Sequence, residues 1–143
     1  MQYQTTLASA VTYAGNGLHS GREVHMKLCP AAADTGIVFV RADLAGMPII
    51  HATAVNVTST IRATTLAENG VKVFTIEHLM SALHARQIDN CRIEMDAEEP
   101  PVGDGSAKVF FDLLTAAGTA EQTARRREIV IDRVYRIDDK DRF

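Results

Sequence analysis

Two segments of this 143-residue chain repeat their apolar residues at the helical spacing i, i+3, i+4, i+7. The apolar positions of the first segment, predicted as a helix over 75–86, are Ile76, Leu79, Met80 and Leu83. Those of the second, predicted as a helix over 106–117, are Phe110, Leu113, Leu114 and Ala117. Gly118 then stands where helices often end in a left-handed residue. Each predicted helix therefore has one face suited to burial.

The opposite face of the first helix is rich in small residues. At about 100° per residue, that face carries His78, Ser81, Ala82 and Ala85. A helix with two faces suited to packing is expected to be covered on both sides. One side would meet its own sheet, and the other would meet a further element.

Most of the remaining ordered segments read as strands. The clearest is 23–29, where Val24, Met26 and Leu28 alternate with polar residues and Pro30 ends the run. The other predicted strands are 4–13, broken by Gly15-Asn16-Gly17, and then 36–41, 53–57, 90–95 and 128–137. Segments of this kind are typical of a half-buried sheet.

A hairpin is predicted directly before the first helix. Two β-prone runs, 61–67 and 71–75, flank Glu68-Asn69-Gly70, and Asn-Gly between such runs is the strongest short-range hairpin signal. The order of strands, helix, strand, helix, strand predicts an α+β fold. We expect a two-layer sandwich, a mostly antiparallel sheet with two helices on one face plus a small β-hairpin insert.

The charge pattern gives little support for nucleic-acid binding. Lys and Arg number 15 and Asp and Glu number 18, for a net charge of −3. The only basic run is 125–127, interpreted as a solvated linker after a helix. No nucleic-acid partner is expected.

The cysteines and the hydropathy predict a soluble cytoplasmic protein. Cys29 and Cys91 stand alone without CxxC spacing, which fits a reducing compartment. The N-terminal residues have no secretory pattern. No run reaches the roughly 18 apolar residues of a transmembrane segment.

Glu77-His78, at the start of the first predicted helix, is the pair that suggests chemistry. A structural interpretation is complete: Thr75 caps the helix, Glu77 at the second helical position interacts with the helix dipole, and His78 is a surface histidine. A zinc site needs about three protein ligands. Spacing alone therefore favours the structural interpretation.

Several linked motifs change that balance. They are Gly17-Leu18-His19-Ser20-Gly21, Thr75-Ile76-Glu77-His78-Leu79, Ile88-Asp89-Asn90 and Asp104-Gly105-Ser106-Ala107. In this order and separation they resemble the N-terminal domain of the UDP-3-O-acyl-N-acetylglucosamine deacetylase family, which acts in lipid A biosynthesis. The resemblance runs from about residue 2 to residue 143.

The resemblance implies two similar α+β domains whose helices pack together between outer sheets. It implies that His78 is a Zn²⁺ ligand and Glu77 the general base of a hydrolase that releases acetate from the UDP-linked acyl-glucosamine. A carboxylate beside the ligand can take the proton of the attacking water. The remaining zinc ligands, a His and an Asp, belong to the family's second domain, so only one ligand is expected here.

Four further residues match substrate-binding positions. Leu18, Ile61 and Ala63 match positions along the family's acyl-chain passage, and ordinary core packing is the alternative for Leu18 and Ile61. His19 is either a site residue or a turn residue. Arg62 stands where the family tends to have an apolar or small residue. The resemblance therefore does not predict which acyl chain is selected.

The resemblance divides the chain into residues 1–126, a deacetylase N-terminal-type domain, and 127–143, the opening strand or tail of a missing second domain. Alone, the chain is expected to be inactive. Its partners would be the C-terminal deacetylase domain or a homologous chain, and a homodimer through the small-residue face of the first helix is possible. The alternatives are a stand-alone, non-catalytic regulatory or protein-binding module and a merely structural module.

Overall fold

The computed structural model describes residues 2–136. Within them the strands and helices are β1 Tyr3–Leu7, β2 Val11–Asn16, β3 Glu23–Pro30, β4 Ile37–Arg41, β5 Ile49–His51, β6 Val57–Ser59, β7 Thr65–Glu68, β8 Val71–Phe74, α1 Glu77–Ala85, β9 Cys91–Met95, α2 Lys108–Ala117 and β10 Thr119–Arg125. A 3₁₀ turn, Ala54–Asn56, precedes β6. No helix formed by residues 2–136 is long and apolar enough to cross a bilayer.

The main sheet has five strands in the order β2-β3-β9-β4-β5. Its neighbours are antiparallel except β4 and β9, which run parallel with Phe39 opposite Ile93. The apolar residues of β3 and β9 form one core cluster with those of α1 and α2. The predicted α+β fold, with a mostly antiparallel sheet and two helices, is confirmed.

The alternation predicted for β3 is confirmed. Val24, Met26 and Leu28 are at most 2% exposed, whereas the residues between them are exposed. Each such side chain contributes roughly 1.5–3 kcal/mol when fully buried. β3 lies between β2 and β9, so a slip of one residue would turn these three side chains to the solvent.

Helix α2 follows the predicted apolar pattern. Phe110, Leu114 and Ala117 are buried, and the Phe110 ring meets the ring of Tyr13 edge to face at 6.2 Å. The helix starts at Lys108, later than predicted, because Ser106 belongs to the preceding turn. The Ser106 hydroxyl still accepts the Lys108 N–H at 3.1 Å.

Helix α1 begins at Glu77, and Thr75 is not its N-cap. Thr75 has a φ of 56°, a left-handed conformation that is unusual for a β-branched residue. Ile76 occupies the cap position without a side-chain hydrogen bond to the helix. The prediction failed because the tight turn out of β8 sets the backbone at Thr75.

The two faces of α1 differ from each other as predicted. On the apolar face Ile76, Leu79 and Leu83 are buried. On the small-residue face Ala82 is also buried, whereas Ser81 and Ala85 are exposed. The exposed part of that face is available for a further element.

The predicted strand 4–13 is two strands. β1 ends at Leu7 and β2 continues to Asn16, so the chain breaks at residues 8–10 rather than at Gly15-Asn16-Gly17. The reason is tertiary: β1 pairs with β10 in a separate two-stranded sheet, whereas β2 pairs with β3. The chain must therefore leave one sheet and enter the other within three residues.

The strand predicted at 53–57 is mostly a 3₁₀ turn, and the edge strand β5 precedes it. The side-chain amide of Asn56 donates to the His51 carbonyl at 2.9 Å and to the Glu68 carboxylate at 3.1 Å. These side-chain bonds favour a turn over a strand because they satisfy polar groups locally.

The predicted hairpin is confirmed, with shorter strands. Leu66 faces Val73 in the register of β7 and β8, and Asn69 and Gly70 have φ values of 51° and 80° at the turn. Positive φ at both central residues is typical of a type I′ hairpin turn. With β6 the hairpin forms a three-stranded sheet, and residues 57–74 are called the insert below.

The strand predicted at 128–137 does not form over 128–136, and Ile137 lies outside the described residues. The side chains of Ile129 and Val134 are 96% and 95% exposed. A strand needs a neighbour for its N–H and C=O groups, and among the described residues none pairs with this segment.

The basic run 125–127 is not a solvated linker after a helix. Arg125 ends β10, which pairs with β1. The guanidinium of Arg126 pairs with Asp89 at 2.8 Å, and its side chain is 22% exposed. The strand β10 was missed because its sequence, TAEQTAR, carries few apolar residues.

Candidate active site

Glu77 is the first residue of α1 and is half-buried. One of its carboxylate oxygens accepts the backbone N–H of Thr64, in the insert, at 3.1 Å. The positive end of the helix dipole also favours an anion here. The fold therefore holds this carboxylate from two sides, by its own helix and by the insert.

His78 is the second residue of α1 and is half-buried. Among residues 2–136 no hydrogen bond or ion pair involves its imidazole, in contrast to the rings of His25 and His51, which each pair with a carboxylate. A neutral imidazole without another partner is a good zinc ligand. The first turn of α1 thus carries a carboxylate and, at the next position, an imidazole without a hydrogen-bond partner among residues 2–136.

The donor set for a metal is incomplete in this part of the chain. Residues 2–136 contain no group of three or more His, Cys, Asp or Glu side chains that could hold a metal ion. A catalytic zinc ion takes three protein ligands and leaves one position open. His78 fits as one such ligand, and the others would have to come from elsewhere.

Leu18 and His19 lie in a turn between β2 and β3. Leu18 is 54% exposed, so core packing is not its role. The backbone N–H of His19 donates to the carboxylate of Glu99 at 3.0 Å, and its ring lies 6.4 Å from the ring of Phe74. His19 is thus a turn residue whose ring lies beside the end of β8, three residues before Glu77.

Ile61 and Ala63 lie in the insert, in a bend that precedes β7 rather than in the strand predicted there. Ile61 is 83% exposed, so core packing does not explain it either. Ala63 is half-buried and adjoins Thr64, whose N–H contacts Glu77. Arg62 is exposed, with a φ of 61°. This bend is therefore close in sequence to the point where the insert meets α1.

A groove of about 470 Å³ separates the insert from α1. Its lining is Ala52, Thr53, Ala54, Val57, Thr64, Leu66, Ile76, Glu77, Met80, Ser81 and His84. Most of these side chains are apolar or small, and Glu77 is the carboxylate among them. The groove can accept an apolar group beside that carboxylate.

A larger concavity, about 610 Å³, is lined mainly by residues of β2, β3 and β9, including His25, Lys27 and Glu94, and by Asp96, which follows β9. Neither Glu77 nor His78 lines it. Its ionisable groups include the His25–Asp96 pair, which is joined at 2.9 Å. Size alone does not make it the site, since the carboxylate–imidazole pair lies elsewhere.

The buried Glu99 could not be predicted from the sequence. It is 0% exposed, and its carboxylate accepts the N–H groups of His19 and Ser20. No local pattern marks it, because Glu98-Glu99-Pro100-Pro101 has the composition of an exposed loop. Only the need for a glycine at Gly17, which approaches Glu99, hints at a close neighbour.

Comparison with known proteins identifies the family. The family model for UDP-3-O-acyl N-acetylglycosamine deacetylase matches residues 4–143. This chain belongs to that deacetylase family. Two UDP-3-O-acyl-N-acetylglucosamine deacetylases, from Hahella chejuensis and Marinobacter nauticus, are each 47% identical over 139 residues. The enzyme of that name from Pseudomonas entomophila is 46% identical over the same length.

The match covers nearly all of this chain but less than half of each relative. The aligned region is 97% of this chain and 46% of each of these deacetylases. The chain thus spans about half the length of the curated relatives it matches.

Proposed function

We propose that this chain is the N-terminal half of a zinc-dependent deacetylase. The complete protein would remove acetate from UDP-3-O-acyl-N-acetylglucosamine in lipid A biosynthesis. Membership of the deacetylase family supports this proposal. The observation that carries it is the carboxylate of Glu77, held by the Thr64 N–H at 3.1 Å, at the position before the unengaged imidazole of His78 in α1.

The two residues have different roles. His78 is a zinc ligand and Glu77 is the general base. When bound, zinc lowers the pKa of its water to about 7 and polarises the amide carbonyl. Glu77 takes the proton of the attacking water. Adjacent helical residues point about 100° apart, so the carboxylate would not have to bind an ion held by His78.

The hydrogen bond from Thr64 keeps the Glu77 carboxylate oriented. One oxygen accepts the Thr64 N–H, which leaves the other oxygen free to accept the proton from water. A general base must lie within about 2.6–3.2 Å of the proton donor. The insert therefore contributes to the chemistry through its backbone, without supplying a reactive side chain.

Four residues are proposed to contact the substrate. Leu18 and Ile61 are exposed apolar side chains that would meet the acyl chain, together with Ala63. His19, beside Phe74, would contact the polar part of the substrate. Exposed apolar side chains that have no packing role are suited to binding an apolar ligand.

The remaining zinc ligands are proposed to lie in a C-terminal half, which corresponds to the part of the relatives outside the match. With His78 alone, zinc binding would be weak because several ligands together provide the affinity. This chain alone would therefore be inactive.

The test is to join the whole chain, residues 1–143, to the unmatched half of the Hahella chejuensis relative and to measure acetate release. We expect zinc-dependent activity, abolished by chelation and by His78→Ala. Glu77→Gln should lower kcat by at least about 100-fold, in line with general-base catalysis. His25→Ala and Glu98→Gln are the matched controls, because these side chains lie outside the proposed site. An inactive fusion that is folded and loaded with zinc would refute the proposal.

One observation favours a second candidate, a non-catalytic protein-binding module: residues 2–136 hold no complete metal site. Such a module would bind a full-length deacetylase, and Glu77→Ala would leave its affinity unchanged. A pull-down with purified relative, followed by titration calorimetry of both variants, separates the two functions. Loss of the association in Glu77→Ala would count against the module.

A further inference from the structure

A charged residue outside the proposed catalytic pair is completely buried. Glu99 is 0% exposed, and among residues 2–136 no ion pair includes it. Burying an ionised carboxylate costs several kcal/mol unless hydrogen bonds compensate. A residue of this kind therefore has a specific structural or functional reason to be present.

Backbone N–H groups provide the compensation. His19 N–H lies 3.0 and 3.2 Å from the two oxygens of Glu99, and Ser20 N–H lies 2.9 Å from one of them. Burial raises the pKa of Glu99, but the N–H groups of Ser20 and His19 outweigh it and keep the pKa below the usual glutamate value. The carboxylate is therefore ionised at neutral pH.

The turn at residues 17–21 is built around this carboxylate. A Cβ added to Gly17 would lie 2.3 Å from Ser20 Oγ and 2.5 Å from Glu99 Oε2, so a side chain there would displace one of them. The turn closes on itself through a bond of 3.0 Å from Gly21 N–H to the Gly17 carbonyl. Its shape thus depends on both the glycine and the buried charge.

The same carboxylate lies next to the start of α1. The Thr75 hydroxyl also lowers the pKa of Glu99, although it makes no hydrogen bond of standard geometry. Phe74 N–H donates to the carbonyl of Glu98 at 2.9 Å. The residue next to Glu99 is therefore bonded to the last residue of β8, three residues before Glu77.

We propose that Glu99 is a positioning residue that holds the turn 17–21 and the start of α1 in a fixed relation. This inference rests on the proposed function, in which His19, Glu77 and His78 act at one site. His19 is carried by the turn, and Glu77 and His78 are carried by the helix. The Glu99 carboxylate binds the turn, and the carbonyl of its neighbour Glu98 binds the N–H of Phe74 at the strand end that leads into α1. This segment thereby keeps the three side chains at one place.

Glutamine cannot replace Glu99 in this role. Its amide group has the same size, but one of its two ends is a donor. In Glu99→Gln that NH₂ group would face the N–H of His19 or Ser20, and a buried donor would lose its acceptor. The turn is expected to open locally while the main sheet stays intact.

The first measurement uses this chain and amide hydrogen exchange by NMR. Glu99→Gln should increase exchange at His19 and Ser20 by at least tenfold and leave the amide of Ile93, in the main sheet, unchanged. The matched control Glu98→Gln, whose partly exposed side chain pairs with Lys72, should leave all three amides unchanged. Unchanged exchange at His19 and Ser20 in Glu99→Gln would overturn the inference.

The second measurement uses the fused protein described above. Glu99→Gln should lower kcat at least tenfold and change KM less than threefold, because the reacting groups are misaligned while most of the binding surface remains. Arg126→Ala, remote from the pair, serves as a control for lost stability and should keep its kcat. Gly17→Ala should reproduce the defect with the carboxylate intact, and it replaces Glu99→Gln if that variant does not fold.

The outcomes separate the two proposals. If the unchanged fusion releases no acetate, the proposed function fails and the positioning role fails with it. If the unchanged fusion is active and Glu99→Gln and Gly17→Ala both match Arg126→Ala in kcat, the proposed function stands and Glu99 is only structural. A selective loss of kcat in Glu99→Gln and Gly17→Ala supports the positioning role.

Discussion

The backbone N–H of Thr64 donates a hydrogen bond of 3.1 Å to the carboxylate of Glu77. This bond joins the insert to the first residue of α1, two elements that are separated by the turn at Thr75. The insert is itself attached to the main sheet, since His51 N–H donates to Glu68 at 2.8 Å and Arg41 donates to the Lys72 carbonyl at 3.1 Å. The orientation of Glu77 therefore depends on contacts far from it in sequence.

The Thr64–Glu77 bond predicts a local effect of Glu77→Ala in this chain alone. The Thr64 amide should exchange with solvent at least about tenfold faster. This corresponds to the loss of at least about 1.4 kcal/mol of protection, close to the lower end of the range of about 1.5–3 kcal/mol for bonds to charged groups. The amide of Val73, inside the hairpin, should keep its rate. Equal acceleration at both amides would show that the insert unfolds as a unit.

Two glycines of the same turn predict different costs on substitution by alanine. Gly21 has a φ of 62° and open space around it, so Gly21→Ala should destabilise by about 1–2 kcal/mol through the backbone alone. At Gly17, an added Cβ would meet Ser20 Oγ at 2.3 Å and Glu99 Oε2 at 2.5 Å. Gly17→Ala should therefore have the larger effect in urea unfolding.

Ser20→Ala provides the check on that comparison. It removes the nearest of the two atoms that meet the added Cβ and should recover part of the loss when combined with Gly17→Ala. If the double variant is no more stable than Gly17→Ala, the contact with Ser20 is not the cause.

Acid should destabilise the fold through three carboxylates. The bond from Arg41 lowers the pKa of Asp43. Burial raises the pKa of Asp96, but bonds from His25 outweigh it and the pKa is lowered. The pKa of Glu99 is lowered in the same manner, by bonds that outweigh the effect of burial. Each pKa is below that of the unfolded chain, about 3.9 for Asp and 4.3 for Glu.

The lowered pKa values determine how the stability of the fold changes with pH. A lowered folded pKa stabilises the protein above the unfolded pKa, and the stabilisation is lost as the pH falls through the folded value. The free energy of unfolding should therefore be nearly constant from pH 7 to 5 and fall below about pH 4. Glu99→Gln should show a shallower acid loss in urea titrations at these pH values. An equally steep loss would show that Glu99 takes no part in it.

Arg126 and Arg127 should differ although they are neighbours. The Arg126 guanidinium contacts Asp89 at 2.8 Å and Gln2 at 2.9 Å. The Arg127 side chain is 90% exposed and lies 3.9 Å from Asp34. We expect Arg126→Ala to lower the free energy of unfolding by about 1–2 kcal/mol and Arg127→Ala by less than about 0.5 kcal/mol. Equal losses would refute the assigned role of Arg126.

Asn90 should be among the least replaceable polar residues of the fold. It is 1% exposed, donates to Gln4 and Gln122 at 2.8 and 2.7 Å, and accepts the Gly36 N–H at 2.8 Å. Asn90→Ala removes the partner of the Gly36 N–H and of the Gln122 carbonyl oxygen, whereas Gln4 still accepts the Asp34 N–H. It should cost about 2–4 kcal/mol by thermal or urea unfolding. Asn56→Ala, at an exposed turn, is the comparison and should cost less.

Local sequence determined those elements whose cause lies within a few residues. Asn69-Gly70 favours positive φ wherever the chain places it, and the apolar spacing from Phe110 to Ala117 defines one helical face without reference to the sheet. The alternation Val24, Met26, Leu28 likewise defines the buried side of β3. The resemblance of linked motifs led to the family in the same way, because motif order is a property of sequence.

Tertiary structure alone decided the rest. β10 exists because β1 lies next to it, Thr75 adopts a left-handed φ because a tight turn joins β8 to α1, and Glu99 is buried because residues 17–21 close around it. The exposed segment 128–136 shows the converse, since a β-prone sequence forms no strand without a neighbour there. Strand pairing and charge burial are long-range effects: their free energy comes from groups that the local sequence does not contain.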